Sequence, residues 1–362
     1  MPFINRENEL NALKAKWAKG PSQLIIVYGK RRVGKTELIK QFIKGREAVY
    51  FLADKRTASE QLRELGQIIG DMFDDDLVKS RGFGNWLEVF NYIKKHKKGK
   101  FIFAVDEYPY LVEADKTVSS IFQKGWDQIL KDAGIFIILS GSSIGMMESE
   151  ALTYRAPLYG RRTGQILIKP LFFKEARKFF PAKDFDECLG IYTITGGIPA
   201  YILQWDPKLS VDDNIKEKVF LNTEFLHNEV EFILKEEFRE PKNYLSILRA
   251  ISWGKRKFGE IVNETGLEKS FLTKYLMTLE RLQIIEREVP VTENAPQKSR
   301  KGLYTITDNY FRFWFQYVFP YKSDLEIRRY DEVLRKMRES FKMLEGWTYE
   351  TICRQMINDF RN

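Results

Sequence analysis

Cysteine and histidine are scarce in this sequence, which contains only Cys188, Cys353, His96 and His227. Two cysteines cannot build a disulfide framework, and with the two histidines they make no ligand cluster at zinc spacing. No apolar run reaches about 18 residues, so we expect no membrane span. The first ten residues lack the pattern of a secretion signal, and the expected compartment is the reducing cytoplasm.

Basic residues are in moderate excess. The 362 residues include 59 Lys and Arg against 50 Asp and Glu, a net charge of +9. This excess suits an anionic partner such as nucleic acid or a nucleotide, although a solvated Lys/Glu surface gives the same balance. The chain is too long for one ordinary core, so we expect two or three domains.

A glycine-rich loop follows the first apolar run. The run QLIIVYG predicts a buried strand, GKRRVGKT matches G-x-x-x-x-G-K-[ST], and a helical segment comes next. Gly29 and Gly34 allow backbone N–H groups to point at phosphate oxygens. Lys35 adds a charge for the β- and γ-phosphates, and Thr36 adds a hydroxyl for Mg²⁺. This loop predicts ATP and Mg²⁺ as cofactors.

A second apolar run, FIFAVD, ends in Asp106 and is followed by Glu107. A carboxylate at a strand tip downstream of such a loop is expected to hold Mg²⁺, which is the role predicted for Asp106. Glu107 is then the residue that orients and polarises the attacking water. We therefore predict Glu107 and Lys35 as catalytic residues.

Further apolar runs alternate with helical segments, at 48–53, 135–139 and 165–169. This alternation predicts an α/β fold, a P-loop NTPase with a doubly wound parallel sheet. Ligands bind at the carboxyl ends of such strands, where Ser142 is expected either to sense the γ-phosphate or to cap a helix. Arg161, before the fifth strand, is either a catalytic arginine for its own or a neighbouring site, or a surface residue.

The order of the motifs resembles that of archaeal-type P-loop ATPases on the AAA+/STAND side of the class. The matching positions are Phe3, Ile4, Arg6, Glu7, Glu9 and Leu10; Asp106, Glu107 and Tyr108; Gly160 and Arg161; and Gly196 to Tyr201. The resemblance implies that the first box, with Phe3, Ile4 and Arg6, lies beside the adenine. It also implies that Pro199 contacts the base from a helical lid.

The remaining segments suggest the domain organisation. We predict an ATPase core at 1–170, a helical lid at 171–239, a winged helix-turn-helix at 240–319 and a helical tail at 320–362. The winged helix rests on three helical patterns followed by two strand-like runs that flank a polar tip.

The third helix of this winged helix is expected to enter the major groove of DNA. Its Leu272, Leu276 and Leu279 form the buried stripe, and the predicted DNA-binding residues are Lys269, Ser270, Thr273 and Lys274 on the helix with Lys298, Arg300 and Lys301 in the wing. Residues 241–310 carry 12 Lys and Arg against 8 Asp and Glu, which is only mildly basic. A winged helix that binds protein therefore remains an alternative.

Together these features predict an ATP-hydrolysing molecular switch coupled to double-stranded DNA, with slow or partner-stimulated hydrolysis. The alternative is a nucleotide-gated scaffold that binds protein through the winged helix and hydrolyses little. A homo-oligomer or a protein partner is possible under both hypotheses, and no membrane contact is expected.

The end of the chain adds one expectation. In the resembling family a restriction-endonuclease-like domain of unknown function often follows the winged helix, and Glu350 matches the glutamate of its first helix. No strand Asp and no Glu-x-Lys pair follow Glu350, so a metal-dependent nuclease centre is incomplete and we predict no nuclease activity. The chain is then either a fragment of a longer protein or a short homologue whose last helix packs on the winged helix.

Overall fold

The structure, a computed structural model, describes residues 4–238, 240–290, 292 and 301–360. The chain divides into two compact units, Met1–Lys169 and Pro170–Asn362. The finer division of the second unit into lid, winged helix and tail stays a prediction. Phe3, Lys298 and Arg300, three of the predicted site residues, lie outside the described residues.

A five-stranded parallel sheet forms the centre of the first unit. Its strands are Gln23–Tyr28 (β1), Ala48–Leu52 (β2), Phe101–Asp106 (β3), Ile135–Gly141 (β4) and Gly164–Leu167 (β5), in the spatial order β2-β3-β4-β1-β5. Every residue of β3 and β4 is buried, as expected for central strands that helices cover on both faces. The predicted α/β class, a P-loop NTPase with a doubly wound sheet, is confirmed.

Helices pack on both faces of this sheet and bury two separate apolar clusters. They are Glu7–Ala18 (α1), Lys35–Ile43 (α2), Ala58–Phe73 (α3), Asp76–Arg81 (α4), Trp86–His96 (α5), Tyr108–Ala114 (α6), Val118–Gly125 (α7) and Ile144–Met147 (α8). Single π-helical segments continue α7 and α8 at Trp126–Leu130 and Glu148–Leu152. Successive residues of each strand face opposite clusters. Every second side chain of a strand therefore faces the side of the sheet on which α2 packs.

The second unit is mainly helical. Its helices are Phe173–Ala176 (α9), Phe185–Thr195 (α10), Pro199–Ile202 (α11), Val211–Asn214 (α12), Glu229–Glu237 (α13), Pro241–Ser252 (α14), Phe258–Thr265 (α15), Lys269–Arg281 (α16), Asn309–Tyr317 (α17), Lys322–Glu326 (α18) and Tyr330–Phe360 (α19). A π-helical segment, Ile215–Phe220, continues α12, and 3₁₀ turns lie at Arg177–Phe179 and Phe319–Tyr321. No strand is described between Pro170 and the end of α16, as the sequence predicted for the lid.

Helices α14, α15 and α16 precede an antiparallel pair of strands, Ile285–Glu288 (β6) and Leu303–Ile306 (β7). Three helices followed by a two-stranded ribbon form the predicted winged helix-turn-helix. Leu272, Leu276 and Leu279 are buried along α16, which is the stripe expected from the helical period. The aromatic run of α17 is also buried, so it serves as core rather than as a stacking surface for bases.

Helix α19 is one continuous helix of 31 residues within the segment for which the sequence predicted a helical tail. Its length alone would allow it to span a bilayer, but charged residues recur along it. Within the described ranges, no helix combines the length and the apolar character needed to cross a membrane.

The turn between α10 and α11 gives a testable constraint on the second unit. Gly197 has φ +74°, and a Cβ atom there would lie 2.0 Å from the carbonyl oxygen of Leu171. We expect Gly197→Ala to lower the free energy of unfolding by more than about 3 kcal/mol, because a backbone clash adds to left-handed strain. Gly254→Ala is the control, since Gly254 has φ +86° but no described heavy atom within 4 Å of such a Cβ. Equal losses in thermal denaturation would contradict this assignment.

Candidate nucleotide site

The loop between β1 and α2 depends on two glycines with positive φ. Gly29 has φ +153°, and a Cβ atom there would lie 2.2 Å from the carbonyl oxygen of Ile168. Gly34 has φ +93° and occupies the N-cap position of α2. Any larger residue would strain these positions, so glycine is required for the loop to turn from strand into helix.

Lys35 is the first residue of α2 and is only 5% exposed. Its Nζ donates to the carbonyl oxygens of Gly29 at 3.0 Å and Lys30 at 2.9 Å, so the side chain folds back across its own loop. An ammonium group surrounded by loop backbone at a helix N-terminus suits the binding of phosphate oxygens.

Asp106 lies at the end of β3, has no exposure to solvent, and accepts three hydrogen bonds. Thr36 Oγ1 donates to its Oδ2 at 2.6 Å, and the Tyr50 hydroxyl donates to the same oxygen at 2.8 Å. The backbone N–H of Glu107 donates to Oδ1 at 3.0 Å. Burial and the nearby Asp106 carboxylate raise the pKa of Tyr50, which therefore stays protonated and acts as a donor.

Tyr50 is not among the predicted site residues, although the alternation of side chains along β2 indicates which way it faces. In β2, Val49 and Phe51 belong to the cluster on the far face of the sheet, while Tyr50 packs against the cluster that contains α2. Asp106 follows Ile102 and Ala104 at a spacing of two residues, so it faces the same side of the sheet as they do, toward α2. Both polar groups therefore point to the helix that presents Thr36.

Glu107 adopts a left-handed conformation, with φ +52°. Its Oε2 accepts from the Ser142 hydroxyl at 2.7 Å and from the Ser142 N–H at 3.2 Å. The cap of α8 is the next residue, Ser143, so the helix-cap interpretation of Ser142 is wrong. The serine sits just beyond β4 and fixes the carboxylate that follows the neighbouring strand.

Arg6 is bonded to the glycine loop, and its place beside the adenine stays a prediction. It is 6% exposed; its Nη1 donates to Glu9 at 3.0 Å, and its Nη2 donates to the carbonyl oxygens of Val33 at 2.9 Å and Lys169 at 2.6 Å. These three oxygens fix the guanidinium between the start of α1, the glycine loop and the end of the first unit. Arg6 is thus a positioning residue for the glycine loop.

The bond from Arg6 to Val33 orients the loop. The C=O and N–H groups of a trans peptide point in opposite directions, and the described residues contain no cis peptide. Holding the Val33 carbonyl therefore directs the Gly34 N–H away from Arg6. Since N–H groups of this loop are the expected phosphate ligands, the orientation of one of them depends on Arg6.

Arg161 is not brought to the glycine loop. It precedes β5, and β5 runs parallel to β1 with Ile25 opposite Gly164 and Tyr28 opposite Leu167. Arg161 therefore lies at the edge where strands begin, whereas the loop leaves the edge where they end. Its guanidinium pairs with Asp127 at 3.0 Å. This placement does not support a role for Arg161 in its own site.

The remaining predicted residues that the structure describes belong to both units. Ile4 is half-buried just ahead of Arg6, and Pro199 begins α11 in the second unit. Lys269, Ser270, Thr273 and Lys274 are all exposed on α16, off the leucine stripe, and Lys301 is exposed before β7.

The oxygens of Thr36 and Asp106 are the hard ligands that Mg²⁺ prefers. Among the described residues, no group of three or more His, Cys, Asp or Glu side chains could enclose a metal. One carboxylate and one hydroxyl fit an ion that keeps several waters and shares the phosphates of a nucleotide.

The sheet, the glycine loop and the buried carboxylate define a P-loop NTPase. A family described as an ATPase domain predominantly from Archaea matches residues 3–205, and a family described as Archaea bacterial proteins of unknown function matches residues 314–362. The chain belongs to the first of these, the mainly archaeal ATPase family.

Related proteins agree with this membership. The uncharacterized protein MJECL04 of Methanocaldococcus jannaschii is 35% identical over 98% of this chain and 77% of its own length. The Walker-type ATPase PABY2304 of Pyrococcus abyssi has a TM-score of 0.66 at 22% identity, over 87% of this chain and 96% of that chain. The ORC2 protein of Aeropyrum pernix, solved as ADPNP–ADP complexes, has a TM-score of 0.58 at 13% identity, over 94% and 97%. The two structural likenesses show the fold alone.

The role of Arg6 can be tested by a conservative change. We expect Arg6→Lys to weaken ATP binding about tenfold, because one ammonium cannot reproduce the planar fork, and a bond to a charged donor contributes about 1.5–3 kcal/mol. Glu9→Gln, which removes the ion pair and leaves both carbonyl contacts, should bind ATP normally. Calorimetric titration measures both, and normal affinity in Arg6→Lys would refute the positioning role.

Proposed function

We propose that this chain is a Mg-ATP-dependent molecular switch that hydrolyses ATP and passes its nucleotide state to a DNA-binding winged helix. The observation that carries the proposal is that four residues lie together at the carboxyl edge of the sheet: Lys35, Thr36, Asp106 and Glu107. Phosphate binding, metal binding and water activation need these groups at one place.

Each group has a chemical role in this proposal. The Lys35 ammonium and the loop N–H groups bind the phosphates, with Arg6 fixing the loop. The Thr36 hydroxyl and the Asp106 carboxylate would hold Mg²⁺, which neutralises charge on the β- and γ-phosphates when bound. Tyr50 keeps the Asp106 carboxylate in one orientation.

Glu107 is the proposed general base. Its Oε2 accepts both bonds from Ser142, while no described residue donates to Oε1. Oε1 can therefore take the proton of the attacking water. Ser142 would then act through Glu107, as the residue that aims the base rather than as a direct phosphate ligand.

The remaining predicted contacts complete the proposal. Phe3, Ile4 and Pro199 would contact the adenine, the last from the lid. Arg161 would serve a neighbouring copy in a homo-oligomer, where its partly exposed guanidinium would have to exchange Asp127 for a phosphate. The winged helix would contact duplex phosphates and bases through α16 and the wing.

A second candidate is a nucleotide-gated scaffold whose winged helix binds protein. One observation favours it: Phe271 and Met277 of α16 are 50% and 64% exposed. Large apolar side chains on the outer face of a recognition helix suit a protein groove as well as a DNA groove.

Glu107→Gln tests the hydrolytic proposal. We expect ATP affinity within about twofold of the wild type and turnover lower by about 10²–10⁴, because the amide keeps the shape but cannot accept a proton. Glu113→Gln, an exposed change on α6, should leave both unchanged, and Lys35→Ala should lose both. A normal rate in Glu107→Gln would exclude Glu107 as the base.

A double change on α16 separates the two candidates. We expect Lys269→Ala with Lys274→Ala to lower the slope of log affinity for duplex DNA against log salt by about 1.8, at about 0.9 per phosphate contact. Lys235→Ala with Lys242→Ala removes the same charge from exposed positions on α13 and α14. Indistinguishable slopes for the two doubles would favour the protein-binding scaffold.

A further inference from the structure

The positive charge of this chain is concentrated in the ATPase unit rather than in the unit with the winged helix. Residues 1–169 contain 28 Lys and Arg against 20 Asp and Glu, a net charge of +8, whereas residues 170–362 contain 31 against 30. Almost the whole excess of the chain therefore belongs to the unit that binds nucleotide, and it exceeds what a phosphate loop alone requires.

Much of this charge precedes the strands of the sheet. All five strands are parallel, so their starts share one edge; Phe101 N–H donates to Gly134 O, and Ile102 N–H donates to Glu47 O. The segments 19–22, 44–47, 97–100 and 131–134 lead into β1, β2, β3 and β4. Besides Arg46, their cations are Lys19, Lys44, Lys97, Lys98, Lys100 and Lys131. We name these seven residues the amino-edge surface; the same segments contain two carboxylates, Glu47 and Asp132.

Part of the amino-edge surface is held rigidly around Trp17. Lys100 Nζ donates to the carbonyl oxygen of Trp17 at 2.9 Å and lies 5.7 Å from its ring centre, and the Arg46 guanidinium lies 6.0 Å from that ring. The indole itself packs edge-on against Phe42 and Phe136. The ring is thus occupied and does not offer a face on which a base could stack.

Four of the other five residues of the amino-edge surface face water; the fifth, Lys97, is half-buried and donates to the carbonyl oxygen of Gly99 at 2.8 Å. Lys19, Lys44, Lys98 and Lys131 are exposed, and none of them forms a side-chain hydrogen bond or ion pair with a described residue. Like charges gathered at one edge of a sheet repel one another, so such an edge lowers its electrostatic energy when an anion binds.

We propose that the amino-edge surface binds the phosphate backbone of a nucleic-acid duplex. Four adjacent strands at about 4.8 Å spacing extend the row of cations over about 14 Å. A duplex carries about one negative charge per 1.7 Å, so about four base pairs would face the row. The glycine loop leaves the opposite edge of the sheet, so the duplex and the nucleotide would not compete.

Two other polyanions fit less well. A single strand would need stacking aromatics, and Trp17 is occupied. An anionic membrane would need an apolar group to insert beside the cations, and the four segments that carry the amino-edge surface contain no exposed large hydrophobic residue. This proposal does not depend on the winged helix, because it concerns a surface of the first unit alone.

The test compares two sets of four lysines in the full chain. The edge variant removes four exposed charges of the amino-edge surface by replacing each of these lysines with alanine: Lys19, Lys44, Lys98 and Lys131. The control variant removes the same charge from exposed positions that do not precede a strand of the sheet, by replacing four other lysines with alanine: Lys116, Lys178, Lys208 and Lys235. Binding of a fluorescent 30-base-pair duplex, about seven times the contact length, is measured from low to moderate salt with and without ATP.

We expect the edge variant to lower the salt slope by about three to four and to weaken duplex binding at least tenfold, with ATP binding unchanged. The control variant should keep the wild-type slope. The proposal is overturned if both variants behave alike, or if the wild type does not bind duplex at low salt. Binding to phosphatidylserine vesicles and to single strands is measured in the same way. The proposal is also overturned if the edge variant loses binding only to the vesicles or only to the single strands.

A second measurement uses the unaltered protein and so does not depend on the folding of the variant. Duplex should protect Lys19, Lys44, Lys98 and Lys131 from acetylation, while the four control lysines stay reactive. Protection of Lys269 and Lys274 alone would support the winged-helix proposal and overturn this one, so the two can fail separately.

Discussion

A carboxylate with no exposure to solvent is stable in its charged form only where donors surround it, and the candidate site depends on one such group, Asp106. Its donors come from the start of α2, from the middle of β2 and from the backbone after β3. They meet only if β2 and β3 keep their register and α2 lies on the matching face. A shift of one residue in β2 would turn Tyr50 away and bring an apolar neighbour toward the carboxylate. The register of β2 and β3 therefore determines both the packing of the sheet and the set of donors around the Asp106 carboxylate.

The glycine loop, the carboxylate strand and the class of the fold could be predicted because their signals are local. A loop that needs positive φ requires glycine, and a buried parallel strand requires an apolar run, whatever surrounds them. Arg6 shows where this locality ends. Its bonds to Val33 and Lys169 join residues 27 and 163 positions apart, and nothing in its own segment indicates these carbonyl partners.

Tyr50 and Ser142 mark an intermediate case. Tyr50 lies on β2 and Ser142 directly follows β4, and the alternation of these strands could be read from the sequence. The side of the sheet that each residue faces could therefore have been predicted. What the sequence did not supply was the order β2-β3-β4-β1-β5, which places β2 and β4 on either side of β3. Once that order is known, a donor from β2 reaches Asp106 and a donor beyond β4 reaches Glu107, because each flanks the strand that carries the carboxylates.

The two edges of the sheet differ in what they can do. Parallel strands bring all their carboxyl ends to one edge, and every residue assigned here to phosphate, metal or water lies there. Arg161 and the cations of the amino edge lie at the other, where they cannot reach the nucleotide of their own chain. Arg161 and Asp127 are partly exposed, at 34% and 44% of their side chains, and such a pair contributes about 1 kcal/mol or less. Three hydrogen bonds join the Arg161 guanidinium to the two oxygens of Asp127, so a phosphate of a neighbouring copy would have to replace all three. In the proposed function Arg161 would therefore act on a second copy, and in the proposed duplex contact the amino edge would be the side on which this ATPase unit meets another anion.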